Sequence, residues 1–117
     1  MAISITSFTG TELVSTTEWS LTTDTAGPDA DTTVGCFQVF LDLSALLAAD
    51  TFELKVYEKA RAADTQRLCF YARFLNVQAT PLYVSPTLIL GAGWDATLKK
   101  IAGTDRTITW SIRGVTA

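Results

Sequence analysis

Thr51–Leu75, TFELKVYEKARAADTQRLCFYARFL, decides the fold. On the way out Phe52, Leu54 and Val56 fall on one side, with Glu53, Lys55, Tyr57 and Lys59 on the other. On the way back Leu68, Phe70, Ala72 and Phe74 alternate with Arg67, Cys69, Tyr71 and Arg73. Period-two alternation over two adjoining runs marks strands that bury one face, and it predicts an antiparallel hairpin. The link KARAADT holds no Asn-Gly or Asp-Gly pair, so a loop longer than two residues is expected. Both apolar sets carry even numbers, so paired residues must sum to an even value, or one strand would turn its core side to water. Pairing Val56 with Leu68 sets Tyr57 opposite Arg67 and Glu53 opposite Tyr71. A slip of two would oppose Lys59 and Arg67, two like charges, so the first register is expected.

Working outward, Val34 to Leu43 alternates Phe37, Val39, Leu41 and Leu43 against Cys36, Gln38, Phe40 and Asp42. Phe40 on the second side implies that this side is also partly covered, by another subunit. Ser44–Asp50 (SALLAAD) places helix formers behind a serine cap and predicts one short helical turn near 44–49, crossing between sheets. Upstream, Ile3, Ile5 and Phe8 mark residues 1–10 as an N-terminal edge strand or an arm leaving the domain. Residues 11–23 put Leu13, Trp19 and Leu21 on one face, interrupted by Ser15 and Thr17, as in a strand near a rim. Asp24–Thr33 is a loop built on Gly27-Pro28. Downstream, Pro81 and Pro86 confine 76–90 to a broken or edge segment, with Thr87–Leu90 as a short buried strand. Gly91-Ala-Gly93 reads as a tight turn. Trp94, Ala96 and Leu98 alternate before a turn at Ala102–Asp105, and Ile108, Trp110 and Ile112 after it, which predicts a second hairpin. About eight strands result. The expected class is all-β: an antiparallel β-sandwich, jelly-roll or Greek-key-like, with 11–117 as a single domain.

Composition agrees with strands, since nineteen threonines and a half-apolar chain favour sheet over helix or disorder. A net charge of −3, with no basic cluster beyond Lys99-Lys100, argues against nucleic acid. No apolar run reaches the roughly 18–20 residues of a membrane helix. MAISITSF has neither the basic segment nor the apolar core of a secretion signal, so Cys36 and Cys69 are expected to be free thiols.

The chain has no histidine, which removes the usual neutral-pH base, most zinc sites and every Ser-His or Cys-His arrangement. Asp24, Asp29 and Asp31 lack the ligand spacing of a calcium loop and read as solvated. Cys69 stands beside Arg67, but a lone strand cysteine is more often inert packing than an activated thiolate. Glu53 and Glu58 fall on opposite faces, so no carboxylate pair converges; Glu58, at the strand end, is expected to reach solvent. No catalytic residue, metal site or cofactor is expected.

The aromatic residues are the remaining lead. Trp19 and Trp110 follow the apolar parity and read as core, while Trp94, next to Asp95, is the candidate platform for a glycan. Tyr57, Arg67, Tyr71 and Arg73 share the outer side of the hairpin, a composition typical of protein interfaces. With Ile3, Ile5, Phe8 and Phe40 they form the candidate interface set.

Two segments, QVFLDLSALLAADTFELKVYEK (Gln38–Lys59) and SPTLILGAGWDATLKKIAGTDRTITWSIR (Ser85–Arg113), resemble a group of short proteins from the structural-gene regions of tailed bacteriophages. The resemblance spans about residues 34–115 and lies in strand pattern and turn phrases, not in a catalytic signature. It implies a virion component made in the host cytoplasm. The first expectation is a capsid decoration (cement) protein that binds the outside of the major capsid protein lattice, stabilises the head and self-associates as a trimer. In that setting an N-terminal arm would lie across the capsid. The alternative is a tail- or fibre-associated module binding host-surface glycans through Trp94.

Overall fold

The computed structural model describes residues 4–116, and the alternating runs appear in it as strands of two antiparallel sheets packed as a β-sandwich. In chain order these are β1 (Ser4–Val14), β2 (Trp19–Ser20), β3 (Thr25–Ala26), β4 (Gly35–Asp42) and β5 (Thr51–Glu58). Then follow β6 (Arg67–Leu75), β7 (Leu82–Val84), β8 (Leu88–Leu90), β9 (Asp95–Ala102) and β10 (Arg106–Thr116). Sheet I runs β1-β10-β4, with β7 and β8 both pairing the far edge of β4; sheet II runs β3-β2-β9-β5-β6. Residues 4–14 are thus an edge strand, paired with β10 along their whole length. Ile3 lies outside the described residues.

The core is the meeting of the two apolar sides. Phe37, Val39 and Leu41 of β4 and Ile108, Trp110 and Ile112 of β10 face Phe52, Leu54 and Val56 of β5 and Ala96 and Leu98 of β9. Each large side chain fully buried in this way contributes about 1.5–3 kcal/mol. Packing is tight at two strand glycines, where any larger residue would force a core ring to shift. A Cβ on Gly10 would sit 2.4 Å from the Trp110 indole, and one on Gly114 2.2 Å from the Phe37 ring.

The β5–β6 hairpin forms, in a different register from the expected one. Val56 faces Phe70 and Glu53 faces Arg73, a slip of two residues. The objection to that slip was Lys59 against Arg67, and a bulge between Val56 and Tyr57 removes it. One extra residue is absorbed there, so Glu58, not a lysine, lies opposite Arg67. Both ends of the hairpin then pair opposite charges. Leu68, expected inside, is half exposed as a result.

Three further expectations are corrected. β9 and β10 do not form a hairpin: β9 pairs β2 and β5 in sheet II, while β10 pairs β1 and β4 in sheet I. Their apolar sides face each other across the sandwich, which satisfies the same parity. Thr87–Leu90 is not buried throughout, since Ile89 points out and is 81% exposed. Finally, no helical turn forms at 44–49. The Ser44 amide donates to the Asp42 carboxylate (3.0 Å) and Ala49 takes a left-handed conformation, φ 71°, with its amide donating to Asn76 Oδ1 (2.9 Å). Asp50 sets this path. Its buried carboxylate accepts from Arg106 Nε (2.7 Å), the Leu47 amide (2.8 Å) and the Thr104 amide (3.0 Å). Arg106, then those two amides, lower its pKa to about 2. One side chain therefore ties the crossing between sheets to the β9–β10 turn.

Candidate interaction surfaces

Strand alternation sends half of each strand outward, and the two sheets use that half differently. On β2, β5 and β9 of sheet II most outward side chains are polar, and several are buried. Glu53, Thr97, Asp95 and Ser20 are all at most 6% exposed. The Asp95 carboxylate accepts Ser20 Oγ (3.0 Å), Thr22 Oγ1 (2.7 Å) and the Ala96 amide (2.9 Å) on one oxygen, and the Asp29 amide (2.8 Å) on the other. Gln66 reaches over the same loop, donating to the carbonyls of Asp29 (2.7 Å) and Gly93 (3.0 Å). Tyr57 and Thr97 both donate to Glu18 Oε2, at 2.5 and 2.6 Å. Burial, and then the Glu18 carboxylate, push the Tyr57 hydroxyl far above its usual pKa.

Glu53 is surrounded by Tyr71 (hydroxyl to carboxylate, 2.5 Å), Lys55 (3.3 Å) and Arg73 (3.5 Å). Burial opposes its ionisation, but Tyr71, Lys55 and Arg73 outweigh burial and hold the carboxyl below its ordinary range. Among the described residues no buried side-chain nitrogen or oxygen lacks a partner.

Sheet I presents the opposite picture. Its register aligns outward side chains in rows across the strands. Ile5, Val115, Cys36 and Ile89 make one row, on β1, β10, β4 and β8. Ile5 is 69% and Val115 47% exposed. Two rows on, Ser111, Phe40 and Val84 are neighbours, and the Arg113 guanidinium lies 4.0 Å over the Phe40 ring. Shallow grooves run either side of Arg113, one floored by Ile5, Cys36 and Val115, the other by Phe40, Asp42 and Leu82.

The residues singled out in the sequence therefore scatter. Ile5 and Phe40 lie on the outer face of sheet I. Arg67, Tyr71 and Arg73 lie on β6, the exposed edge of sheet II, together with the half-exposed Leu68 and Leu75. Tyr57 is on the outer side of sheet II but engaged with Glu18. Phe8 is no surface anchor: it packs inward, edge-on to Trp94 at 5.7 Å and against Phe37. Trp94 is not a platform for a glycan either. It is fully buried, 4.7 Å from the Phe37 ring, with its indole N–H donating to the Thr33 carbonyl (2.9 Å), and Asp95 beside it is equally enclosed. The alternation that marked Trp19 and Trp110 as core also runs through Trp94, Ala96 and Leu98, and was the better guide. What the sequence reading missed is Val115, Ile89, Val84 and Leu82. Ile89 was hidden in an unbroken apolar triplet, where parity identifies an inside only once the neighbours are known.

The acidic residues hold structure. Asp24 accepts the Trp19 indole N–H (3.0 Å), Asp29 accepts the Thr23 and Thr25 hydroxyls, and Asp31 accepts the Thr33 amide. Glu58 does not escape to solvent but caps the turn between β8 and β9, accepting the amides of Gly91 (2.8 Å) and Ala92 (3.3 Å). No cluster of three or more potential metal ligands occurs among the described residues. Cys36 and Cys69 are free and exposed, on different sheets. Desolvation, and then the Glu58 carboxylate, push the Cys69 thiol up, the reverse of activation by Arg67. Compared with family models, curated proteins and solved structures, the chain matches none.

Proposed function

We propose that this chain is a non-enzymatic structural protein of a tailed-phage virion, a capsid decoration protein that binds the outside of the major capsid protein lattice and stabilises the head. One observation supports the reading: the sandwich exposes apolar side chains on two separate surfaces, on different sheets. The first is the row Ile5, Val115, Cys36 and Ile89 on sheet I; the second is the β6 edge, with Leu68, Tyr71 and Leu75 exposed between Arg67 and Arg73. A cement protein has to grip both the coat lattice and its own neighbours, which needs two such surfaces and no reactive centre. A contiguous exposed apolar row rimmed by polar side chains is the kind of surface that marks interaction sites. The phage resemblance of Gln38–Lys59 and Ser85–Arg113 gives the setting, and the β6 edge, mixing Tyr and Arg with leucine, is assigned to the lattice.

The test uses phage heads that lack this protein. Added chain should bind them and restore their resistance to heat and osmotic shock, and Leu75→Asp should weaken binding at least tenfold while leaving the fold intact. Heads that take up no protein, or take it up without gaining resistance, would overturn the assignment.

A further inference from the structure

Given the assignment of the β6 edge to the lattice, on which this rests, we infer that Glu53 is the positioning residue of that edge: it fixes Tyr71 and Arg73 as one unit presented to the lattice protein. Glu53 lies on β5, opposite Arg73 of β6 on one side and Lys99 of β9 on the other. At 6% exposed it is too enclosed to be a contact itself. Its partners are open: Tyr71 is 42% exposed and the Arg73 side chain 47%. The three side chains close a ring. The Tyr71 hydroxyl donates to Glu53 Oε2 (2.5 Å) and accepts from Arg73 Nε (3.0 Å), while a terminal nitrogen of Arg73 lies 3.5 Å from the same Oε2. Lys55 lies 3.3 Å from Oε1, so both carboxylate oxygens are engaged. The observed register makes the ring possible, because it sets Arg73 opposite Glu53 and Tyr71 one row on, opposite Lys55.

Stability alone does not account for a carboxylate at this place. A deeply buried ion pair is often no more stabilising than a well-packed apolar residue of its size, because desolvation offsets the attraction. Glutamate is also less suited to strands than valine or threonine. What the carboxylate does, and a leucine would not, is order two long side chains at an open edge. A side chain ordered beforehand does not lose its rotamer freedom on binding, and two of them are together worth about tenfold in affinity. The unit so fixed offers a phenol ring and the side of a guanidinium that Glu53 does not use, with the exposed Leu75 two residues on. That combination suits a lattice segment carrying a carboxylate next to an apolar side chain.

Phage heads that lack this protein test the role, with the free chain as reference. Glu53→Leu should weaken attachment about tenfold while the circular dichroism stays that of the parent. Glu53→Gln, which keeps an acceptor without the charge, should weaken it less. Tyr71→Phe, at an exposed position, removes the shared hydroxyl and serves as the second probe of the same unit. It should also cost about tenfold. Combined with Glu53→Leu the losses should not add, because each change undoes the same ring. In the free chain the Arg73 Nε–H should give a slowly exchanging NMR signal that Glu53→Leu and Tyr71→Phe each abolish. Heads that take up no parent chain would overturn the virion reading and this inference with it. Heads that take up the parent and Glu53→Leu alike, losses that add, or an Arg73 signal indifferent to Glu53 would overturn the inference alone.

Discussion

On sheet II the outward residues Ser20, Glu53, Asp95 and Thr97 are polar, yet each is at most 6% exposed; on sheet I the outward residues Ile5, Ile89 and Val115 are apolar, and each is at least 47% exposed. Side-chain chemistry and exposure are thus inverted relative to the usual rule on both faces. Sheet II can bury its polar groups because neighbouring strands and the 22–31 loop supply a partner for each. Sheet I leaves apolar groups in water because nothing among the described residues covers them. The difference teaches where to look for a partner: the saturated strands β2, β9 and β5 have little left to offer, whereas the apolar row of sheet I and the exposed leucines of the β6 edge lose little on desolvation and have much to gain.

Removing the centre of the saturated face should have the largest effect. Asp95→Ala strands the Ser20 and Thr22 hydroxyls and the Asp29 amide in a buried site. Leaving several buried groups without partners should cost about 3–5 kcal/mol, read as a drop in the urea midpoint. Hydrogen exchange should show residues 20–31 opening first. An Asp95→Ala protein as stable as the parent would mean that the network is ornamental.

A smaller effect contrasts the two sides of one strand. Gly114 and Val115 are adjacent, one against the Phe37 ring and the other on the outer face. Gly114→Ala should cost about 1–3 kcal/mol by overpacking. Val115→Thr, which keeps β-branching, should be neutral within about 0.5 kcal/mol. Thermal melts of the two variants side by side decide whether the inner face is as unyielding as the outer is tolerant.

Acid should act through the buried carboxylates rather than through the open face. The folded pKa of Asp50, about 2, lies below its unfolded value. The unfolded chain therefore takes up the proton first as pH falls. The stabilisation is complete above about pH 4, the unfolded carboxylate value, and is lost progressively towards the folded one. Glu53, also lowered, adds a slope of the same sign. Asp50→Asn should flatten the fall in unfolding midpoint between pH 4 and pH 2, each about where these carboxylates titrate; an unchanged slope would assign the acid sensitivity elsewhere.

How legible this molecule is from its residues depends on which residue is asked. Alternation alone locates β4, β5, β6, β9 and β10 and, Leu68 excepted, the core side chains on them, because the period of a half-buried strand is a local property. Partnership is not local. The same parity that suits a β9–β10 hairpin suits two strands facing each other across a core, and only the β5–β9 and β10–β4 pairings choose between them. The β5–β6 register turns on one bulge, which exchanges a Lys59–Arg67 clash for a Glu58–Arg67 match and leaves no trace in composition. Of the interface candidates, Ile5, Phe40, Arg67, Tyr71 and Arg73 lie on outward faces, while Phe8 and Trp94 go inside with their alternating neighbours. Val115 and Ile89, the residues that complete the open row, become visible only when four strands are laid in register.

The smallest expected effect is also the sharpest on the comparison. Ile5→Thr combined with Ile89→Thr removes most of the exposed apolar area from the row without changing backbone preference, since threonine is as suited to strands as isoleucine. Neither side chain touches the core, so a monomer has nothing to lose, and stability measured under dissociating dilution should shift by no more than about 0.5 kcal/mol. The same double change on an inward pair such as Ile108 and Ile112, both fully buried, would place two hydroxyls in the core and should unfold the chain. If the outward pair proves as costly as the inward one in dilute solution, then sheet I is covered by its own chain after all. If it proves neutral, those isoleucines serve contact between molecules and not the fold.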